Sequence, residues 1–198
     1  ADLQTSLPEG MKIHTNAFRQ ADFIQTSIDN LLAALRDGAI LVVAIMFVFL
    51  FSTRATAIAL TAIPLSVLTA VVTIRWMGGS LNTMTLGGLA IAMGALVDDA
   101  IIVVENIVRR LRENGERAMA DRTSAVQVVL AATREIQGSI FFATLIIILV
   151  FLPLFFLAGV EGRLLEPLGL AYIVALAASL LVALTVTPVL CLYLLPGS

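Results

Sequence analysis

Two adjacent aspartates, Asp98 and Asp99, stand in an otherwise apolar part of the sequence, with no charged residue at 76–97 or at 100–104. A carboxylate near the middle of a bilayer costs about 2.5 kcal/mol or more, so it faces a protein interior or a water-filled cavity. Its protonation then follows its surroundings, because desolvation favours the neutral acid and a nearby cation favours the carboxylate. The pair therefore predicts a proton relay. The alternative is a structural role in which each acid stays neutral or paired.

Helical geometry gives the two acids different neighbours. At 100° per residue, Asp98 lies on a line of small residues with Gly87 and Gly94, which predicts a seam where another helix packs closely. Met84 and Glu105 lie close to the same line. Asp99 lies over a second face of small residues, which consists of Gly88, Ala92 and Ala95.

Glu105 follows the pair by about two helical turns. Near the end of a crossing it can be solvated, or it can pair with Arg109 at i+4. We expect Glu105 to be a structural acid, and a gate at the inner interface is the alternative.

The elements that must position these residues are membrane helices. The 198 residues are 60% hydrophobic and 13% charged, with a mean hydropathy of +1.02, which does not fit a water-facing surface. Five long stretches lack charged residues, and a crossing needs about 20 apolar residues. We predict an all-α integral membrane bundle of five transmembrane helices at about 29–52, 55–76, 82–112, 136–158 and 166–195.

The connections set the expected topology. Arg54 and the arginines of the loop 113–135, with those just before it, would lie on the cytoplasmic side by the positive-inside rule. Residues 124–131 within that loop suggest a short interfacial helix, and Pro167 is expected in the first turn of the last crossing. Residues 1–28 are read as the periplasmic tail of a truncated domain with a lead-in helix, and 29–198 as the transmembrane bundle, an internal piece of a longer protein.

Other partner classes find little support in the composition. A net charge of −2 gives no field for holding nucleic acid, and the single cysteine, Cys191, cannot form an internal disulfide. The expected surroundings are a lipid bilayer, and no cofactor is predicted.

One long segment resembles a known family. Residues 87–106, from Gly-Gly-Leu-Ala-Ile-Ala to Val-Val-Glu-Asn, are similar to the fourth transmembrane helix of resistance-nodulation-division (RND) efflux pumps. The similarity extends through 80–85, 109–114 and Thr-Pro-Val-Leu-Cys at 187–191, so the chain resembles helices two to six of such a pump. The stretches 134–139 and 159–164 resemble the heavy-metal efflux branch most.

The resemblance implies a multi-pass permease of the bacterial inner membrane, a secondary active transporter rather than an enzyme. It implies a proton antiporter that works as a homotrimer with a periplasmic adaptor protein and an outer-membrane channel. Asp98 and Asp99 would be its proton-relay carboxylates, with a lysine partner in sequence beyond this chain.

The substrate is expected to be a heavy-metal cation. Met84 matches one position of the methionine pairs found in copper and silver exporters, and Cys191 could supply another soft ligand. Val103 and Leu176 stand where further methionines would be expected, so the series of methionine pairs through the membrane, a methionine ladder, is incomplete. A drug or hydrophobe exporter of the same superfamily is one alternative, and a non-transporting membrane scaffold is another.

Overall fold

The computed structural model describes residues 20–50, 52–117 and 122–195, and these form helices and their connections without a β-strand. The predicted all-α membrane architecture is confirmed. Within the described residues, four helical segments have the length and composition to cross a membrane. The helices are α1 (Gln20–Leu50), α2 (Thr53–Trp76), α3 (Thr83–Gly115), α4 (Ala125–Phe151), a 3₁₀ turn (Leu152–Phe156) and α5 (Gly159–Leu194).

The first predicted crossing, 29–52, falls on α1, while the other four correspond to the apolar segments Thr53–Trp76, Thr83–Gly115, Ala125–Phe156 and Gly159–Leu194. The membrane-spanning role of α1 stays a prediction. Most of the predicted periplasmic tail, 1–28, lies outside the described residues, because α1 is described from Gln20.

Local sequence signals fix where α3 begins. Gly78 has a φ of +81°, a left-handed conformation that glycine adopts without steric cost, and it turns the chain after α2. Asn82 then caps α3: its side chain accepts a hydrogen bond from the Thr85 amide at 2.9 Å, and the Thr85 hydroxyl accepts one from the Asn82 amide at 2.7 Å. This capping box fixes the start of the helix that carries the acid pair.

The connection between α3 and α4 is shorter than predicted. Helix α3 continues to Gly115 and α4 begins at Ala125, so the expected loop 113–135 is largely helical. The expected interfacial helix at 124–131 is not a separate element, because these residues form the N-cap and first turns of α4. Arg134 and Glu135, which suggested a boundary, lie inside one continuous helix whose charged side chains are exposed.

The start of α5 also differs from the prediction. The break lies at Leu157–Gly159, where Leu157 is extended and Gly159 has a φ of +83°. Pro167, expected in the first turn, lies inside α5. Its missing amide and ring oppose a regular helix, but the surrounding residues continue the helix through it.

Helices α3 and α5 are the centre of the bundle and run parallel. Gly88 packs against Leu168, and Asp99 contacts Ser179, so residue numbers increase in the same direction on both helices. Two apolar clusters extend along this interface. The first includes Leu96 and Leu176, the second includes Val103, Ile107 and Cys191, and their side chains are buried.

Candidate functional site

The acid pair occupies the middle of α3. Within Thr83–Gly115, 16 residues (83–98) precede Asp99 and 16 (100–115) follow it. At 1.5 Å per residue, each end of the helix is about 24 Å away. The helix is long and apolar enough to cross a hydrocarbon core of about 30 Å, and the mid-bilayer depth of the two carboxylates stays a prediction.

Asp99 faces α5 and has a defined partner there. The Ser179 hydroxyl donates a hydrogen bond to Asp99 Oδ2 at 3.0 Å. Ser179 is buried and Asp99 is half-buried, so this bond lies largely inside the protein. A hydroxyl can donate to a carboxylate and can also accept from a protonated acid, so it can accompany either protonation state.

Asp98 faces a different environment, as 100° of helical rotation requires. Its side chain is exposed and lines a cavity of about 280 Å³ between α1 and α3. The other residues around this cavity are Val42 and Ile45 of α1 with Gly94, Val97 and Ile101 of α3. The neighbouring side chains are apolar, so a charge on Asp98 depends on water or on groups outside the described residues.

The close helix contact lies on the Asp99 face of α3, not on the line of Gly87 and Gly94 that was predicted as the seam. A Cβ on Gly88 would overlap the carbonyl oxygen of Leu168 and lie 3.1 Å from the Ala171 Cβ, so only glycine fits. A Cβ on Gly87 would make an ordinary contact, 4.0 Å from Leu168 Cδ1, and a Cβ on Gly94 would meet no atom within 4 Å. Within the described residues, the tight seam therefore passes through Gly88 and Asp99, because α5 packs on their face. A packing role for Gly94 stays a prediction.

Glu105 does not pair with Arg109. The Arg109 guanidinium donates to Asn106 Oδ1 at 2.6 Å and lies 3.4 Å from a carboxylate oxygen of Glu113. Glu105 is exposed. The i+4 alternative is not formed, because Asn106 and Glu113 are the acceptors that Arg109 contacts, and the exposed position of Glu105 agrees with the alternative of a solvated acid. The gate or structural role of Glu105 stays a prediction.

The two candidate soft ligands lie far apart. Met84 is half-buried at the start of α3, whereas Cys191 is fully buried near the end of α5. Since α3 and α5 are parallel and Asp99 pairs with Ser179, 80 residues later, Cys191 lies at the level of Leu111. That is about 40 Å along the helix from Met84. They cannot ligate one ion, and their separate roles as ligands stay predictions.

Metal ligands of other types are also dispersed. In the part of the chain that the structure describes, no group of three or more His, Cys, Asp or Glu side chains could hold a metal ion. Val103 and Leu176, at two positions where a methionine ladder would continue, are fully buried core residues.

Sequence reasoning missed two polar residues that the fold brings into use. Ser179 lies in the charge-free stretch 167–198, where a hydroxyl among apolar residues could have been flagged. Asn106 was noticed only for its position, yet its buried amide donates to the Ala132 carbonyl of α4 at 2.8 Å. Both contacts join residues far apart in sequence, so neither partner could be assigned from spacing.

These features define a polytopic α-helical membrane protein with an acid pair at the midpoint of α3. Residues 1–198 match the model of the AcrB/AcrD/AcrF family, and the chain belongs to this family. The predicted resemblance to RND permeases is confirmed.

The relatives include proteins named for different substrates. The chain is 37% identical over 198 residues to the cation efflux system protein CusA of Escherichia coli (strain K12), covering 98% of this chain and 19% of CusA. It is 36% identical over 191 residues to the putative cation efflux system protein SilA of Salmonella typhimurium, covering 95% and 18%. It is 34% identical over 195 residues to the multidrug export protein AcrF of Escherichia coli (strain K12), covering 98% and 18%. The chain thus spans about a fifth of the length of these relatives.

Proposed function

We propose that this chain is the proton-coupling part of an RND efflux permease, in which Asp98 and Asp99 take up and release the protons that drive antiport. The observation that supports this most is the acid pair at the midpoint of α3, with its two carboxylates facing different surroundings. A purely structural acid would need one fixed partner. Only Asp99 has one among the described residues.

Asp98 and Asp99 have different roles in this proposal. Asp99 is held against α5 by Ser179, so a change in its charge acts directly on the α3–α5 contact. Asp98 borders the cavity between α1 and α3, where water or a cation from the rest of the permease can reach it. The expected cation is the lysine implied by the resemblance, in sequence beyond this chain.

The proposed substrates are heavy-metal cations. Support comes from the identity to CusA and SilA, both named as cation efflux proteins. A drug or hydrophobe is the second candidate, supported by the identity to AcrF and by the buried, non-ligating residues Val103 and Leu176. A non-transporting scaffold is the remaining alternative.

The proposed membrane location and assembly are those implied by the resemblance to RND permeases. The permease would lie in the bacterial inner membrane with the arginine-rich connection between α3 and α4 in the cytoplasm. It would act as a homotrimer with a periplasmic adaptor protein and an outer-membrane channel.

The deciding experiment is transport by the full-length permease in proteoliposomes with an imposed pH gradient. Asp98→Asn and Asp99→Asn keep side-chain size and polarity but remove the titrating group, so each should abolish gradient-driven transport while substrate binding remains. Glu161→Gln, at an exposed acid near the start of α5, is the matched control and should transport normally. Full transport by both aspartate variants would contradict proton coupling through this pair. Comparing copper, silver and zinc with a hydrophobic dye in the same vesicles separates the two substrate classes.

A further inference from the structure

We propose that Asn106, Arg110 and Asn114 of α3 form a clasp that binds α3 to α4 as one moving unit. These three residues, spaced four apart, lie along one side of α3. They would act as positioning residues for transport, because any displacement of the acid-bearing helix would carry α4 with it. That consequence rests on the proposed function, whereas the rigidity of the clasp can be tested without it.

Asn106 is the most buried member of the clasp. Its Nδ2 donates to the Ala132 carbonyl of α4 at 2.8 Å, and its Oδ1 accepts from Arg109 Nη2 at 2.6 Å. Both ends of the amide are therefore satisfied. Separating α3 from α4 here would leave a buried amide without a partner, which opposes any sliding between the two helices.

Arg110 provides the charged contact. Its Nε and Nη2 donate to the two carboxylate oxygens of Glu135 at 3.0 and 2.7 Å, a bidentate arrangement that fixes direction as well as distance. Its Nη1 also contacts Glu113 on α3 at 3.1 Å, which holds the guanidinium in place. Both members of the Arg110–Glu135 pair are partly exposed, so solvent weakens the attraction, and the pair contributes mainly through its geometry.

Asn114 fixes the chain just before α4 begins. Its Nδ2 donates to the Thr123 carbonyl at 2.8 Å, and its Oδ1 accepts from the Thr123 amide at 3.0 Å. Thr123 directly precedes Ser124, the N-cap of α4. The two-way contact therefore ties the first turn of α4 to the last turns of α3.

The contact between α3 and α5 is of another kind. Between these two helices, the described side-chain hydrogen bonds reduce to the one from Ser179 to Asp99, and the rest of the contact is small or apolar side chains. A shift of α3 along α5 breaks one hydrogen bond, whose strength depends on the charge of Asp99, and displaces Gly88 from its close packing against Leu168. A shift of α3 along α4 breaks the whole clasp.

Distance measurements between spin labels test the clasp directly. In the full-length permease in nanodiscs, one label pair joins α3 to α4 through the exposed positions Arg112 and Leu130, and another joins α3 to α5 through Arg112 and Tyr193. The Arg112–Leu130 distance distribution should be narrow and identical in wild type, Asp98→Asn and Asp99→Asn. It should broaden when Asn106→Leu and Arg110→Ala are combined.

The two label distances separate the clasp from the proposed proton coupling. An Arg112–Leu130 distance that changes in the aspartate variants as much as the Arg112–Tyr193 distance would overturn the clasp, and so would an unchanged width in the combined clasp variant. If the Arg112–Tyr193 distance fails to move while the clasp results hold, the failure counts against the proposed coupling and leaves the clasp in place.

Charge exchange supplies a functional readout. Arg110→Glu or Glu135→Arg alone should lower transport several-fold at equal folded protein, and the double exchange should restore most of it. The control is the ion pair Arg112–Glu116, which has the same charges and an N–O contact of 3.4 Å but lies within α3 alone. Exchanges there should leave transport within twofold of wild type. Effects of equal size in the two pairs, or no rescue by the double exchange, would show that Arg110 has no interhelical positioning role.

Discussion

The Ser179 hydroxyl of α5 donates a hydrogen bond to Asp99 Oδ2 of α3 at 3.0 Å, across an interface of mostly small or apolar side chains. This bond makes two neighbouring aspartates inequivalent. Asp99 is tied to a helix that runs beside it, whereas Asp98 borders a cavity against α1. The two side chains are chemically identical, but the 100° rotation between neighbouring helical residues gives them different surroundings.

Removing the Ser179 hydroxyl should impair transport through Asp99. A hydrogen bond to a charged group is worth about 1.5–3 kcal/mol, so Ser179→Ala should shift the pH profile of transport, while Ser179→Thr should keep it near wild type. The measurement is initial transport rate against pH in proteoliposomes. Thr185→Ala is the control, because its hydroxyl lies on the exposed side of α5 and bonds the Leu181 carbonyl of its own helix. An unmoved profile in Ser179→Ala would remove Ser179 from the relay.

Two glycines of α3 should respond oppositely to the same substitution. In Gly88→Ala the new methyl group overlaps the Leu168 carbonyl oxygen, so α5 must move away and the melting temperature of the purified protein should fall. Gly94→Ala enters open space and should be neutral or stabilising by up to about 1 kcal/mol, since alanine favours helix. Equal melting temperatures would contradict the packing of α5 on the Gly88 face.

A larger residue at Gly94 should affect function rather than folding. Gly94 and Asp98 line the same cavity of about 280 Å³, so Gly94→Leu should fill it and reduce transport per folded protein. Leu at Ile102, which is 46% exposed, is the control and should transport normally. Unchanged transport in Gly94→Leu would mean that the relay does not use this cavity.

Cysteine accessibility tests the orientation predicted from the arginines. A cysteine at Gly115 should be labelled only from the cytoplasm, and one at Val160, which is 71% exposed at the start of α5, only from the opposite side. Val160 is preferable to Gly162, where a Cβ would overlap the Leu157 carbonyl oxygen. The reverse labelling pattern would invert the topology.

The native thiol of Cys191 should not be labelled in the same cysteine accessibility assay. Cys191 is fully buried in the apolar cluster with Ile107 and Val103, so a membrane-permeant maleimide should label it only after unfolding. Cys191→Ala should lower stability by about 1 kcal/mol through loss of packing. A metal-protected, reactive Cys191 in the folded permease would instead support its role as a soft ligand.

The sequence predicted the helices best where local signals agree. Asn82 and Thr85 form a capping box where the third crossing is predicted to begin. The predicted start of α4 is too late, because the charged residues Arg134 and Glu135 favour a loop, whereas in the structure they lie on the exposed side of the helix. The predicted start of α5 is also too late. Pro167 suits the first turn of a helix, but the chain breaks at Gly159 and α5 begins there.

The candidate site shows a different limit of sequence reasoning. Helical periodicity separated the faces of Asp98 and Asp99 correctly, but it could not tell which face another helix would cover. Ser179 could not be paired with Asp99 because the two are 80 residues apart, and only the parallel packing of α3 and α5 brings them together.

That separation also dictates an order of assembly during synthesis. Helix α3 is complete before Ser179 has been translated, since Ser179 follows Asp99 at a sequence separation of 80. The hairpin of α3 and α4 must therefore form first, with its acid pair still lacking α5. A nascent chain that stalls before α5 would hold two unpartnered carboxylates at the level of the lipid, a state that a membrane quality-control protease or insertase could recognise.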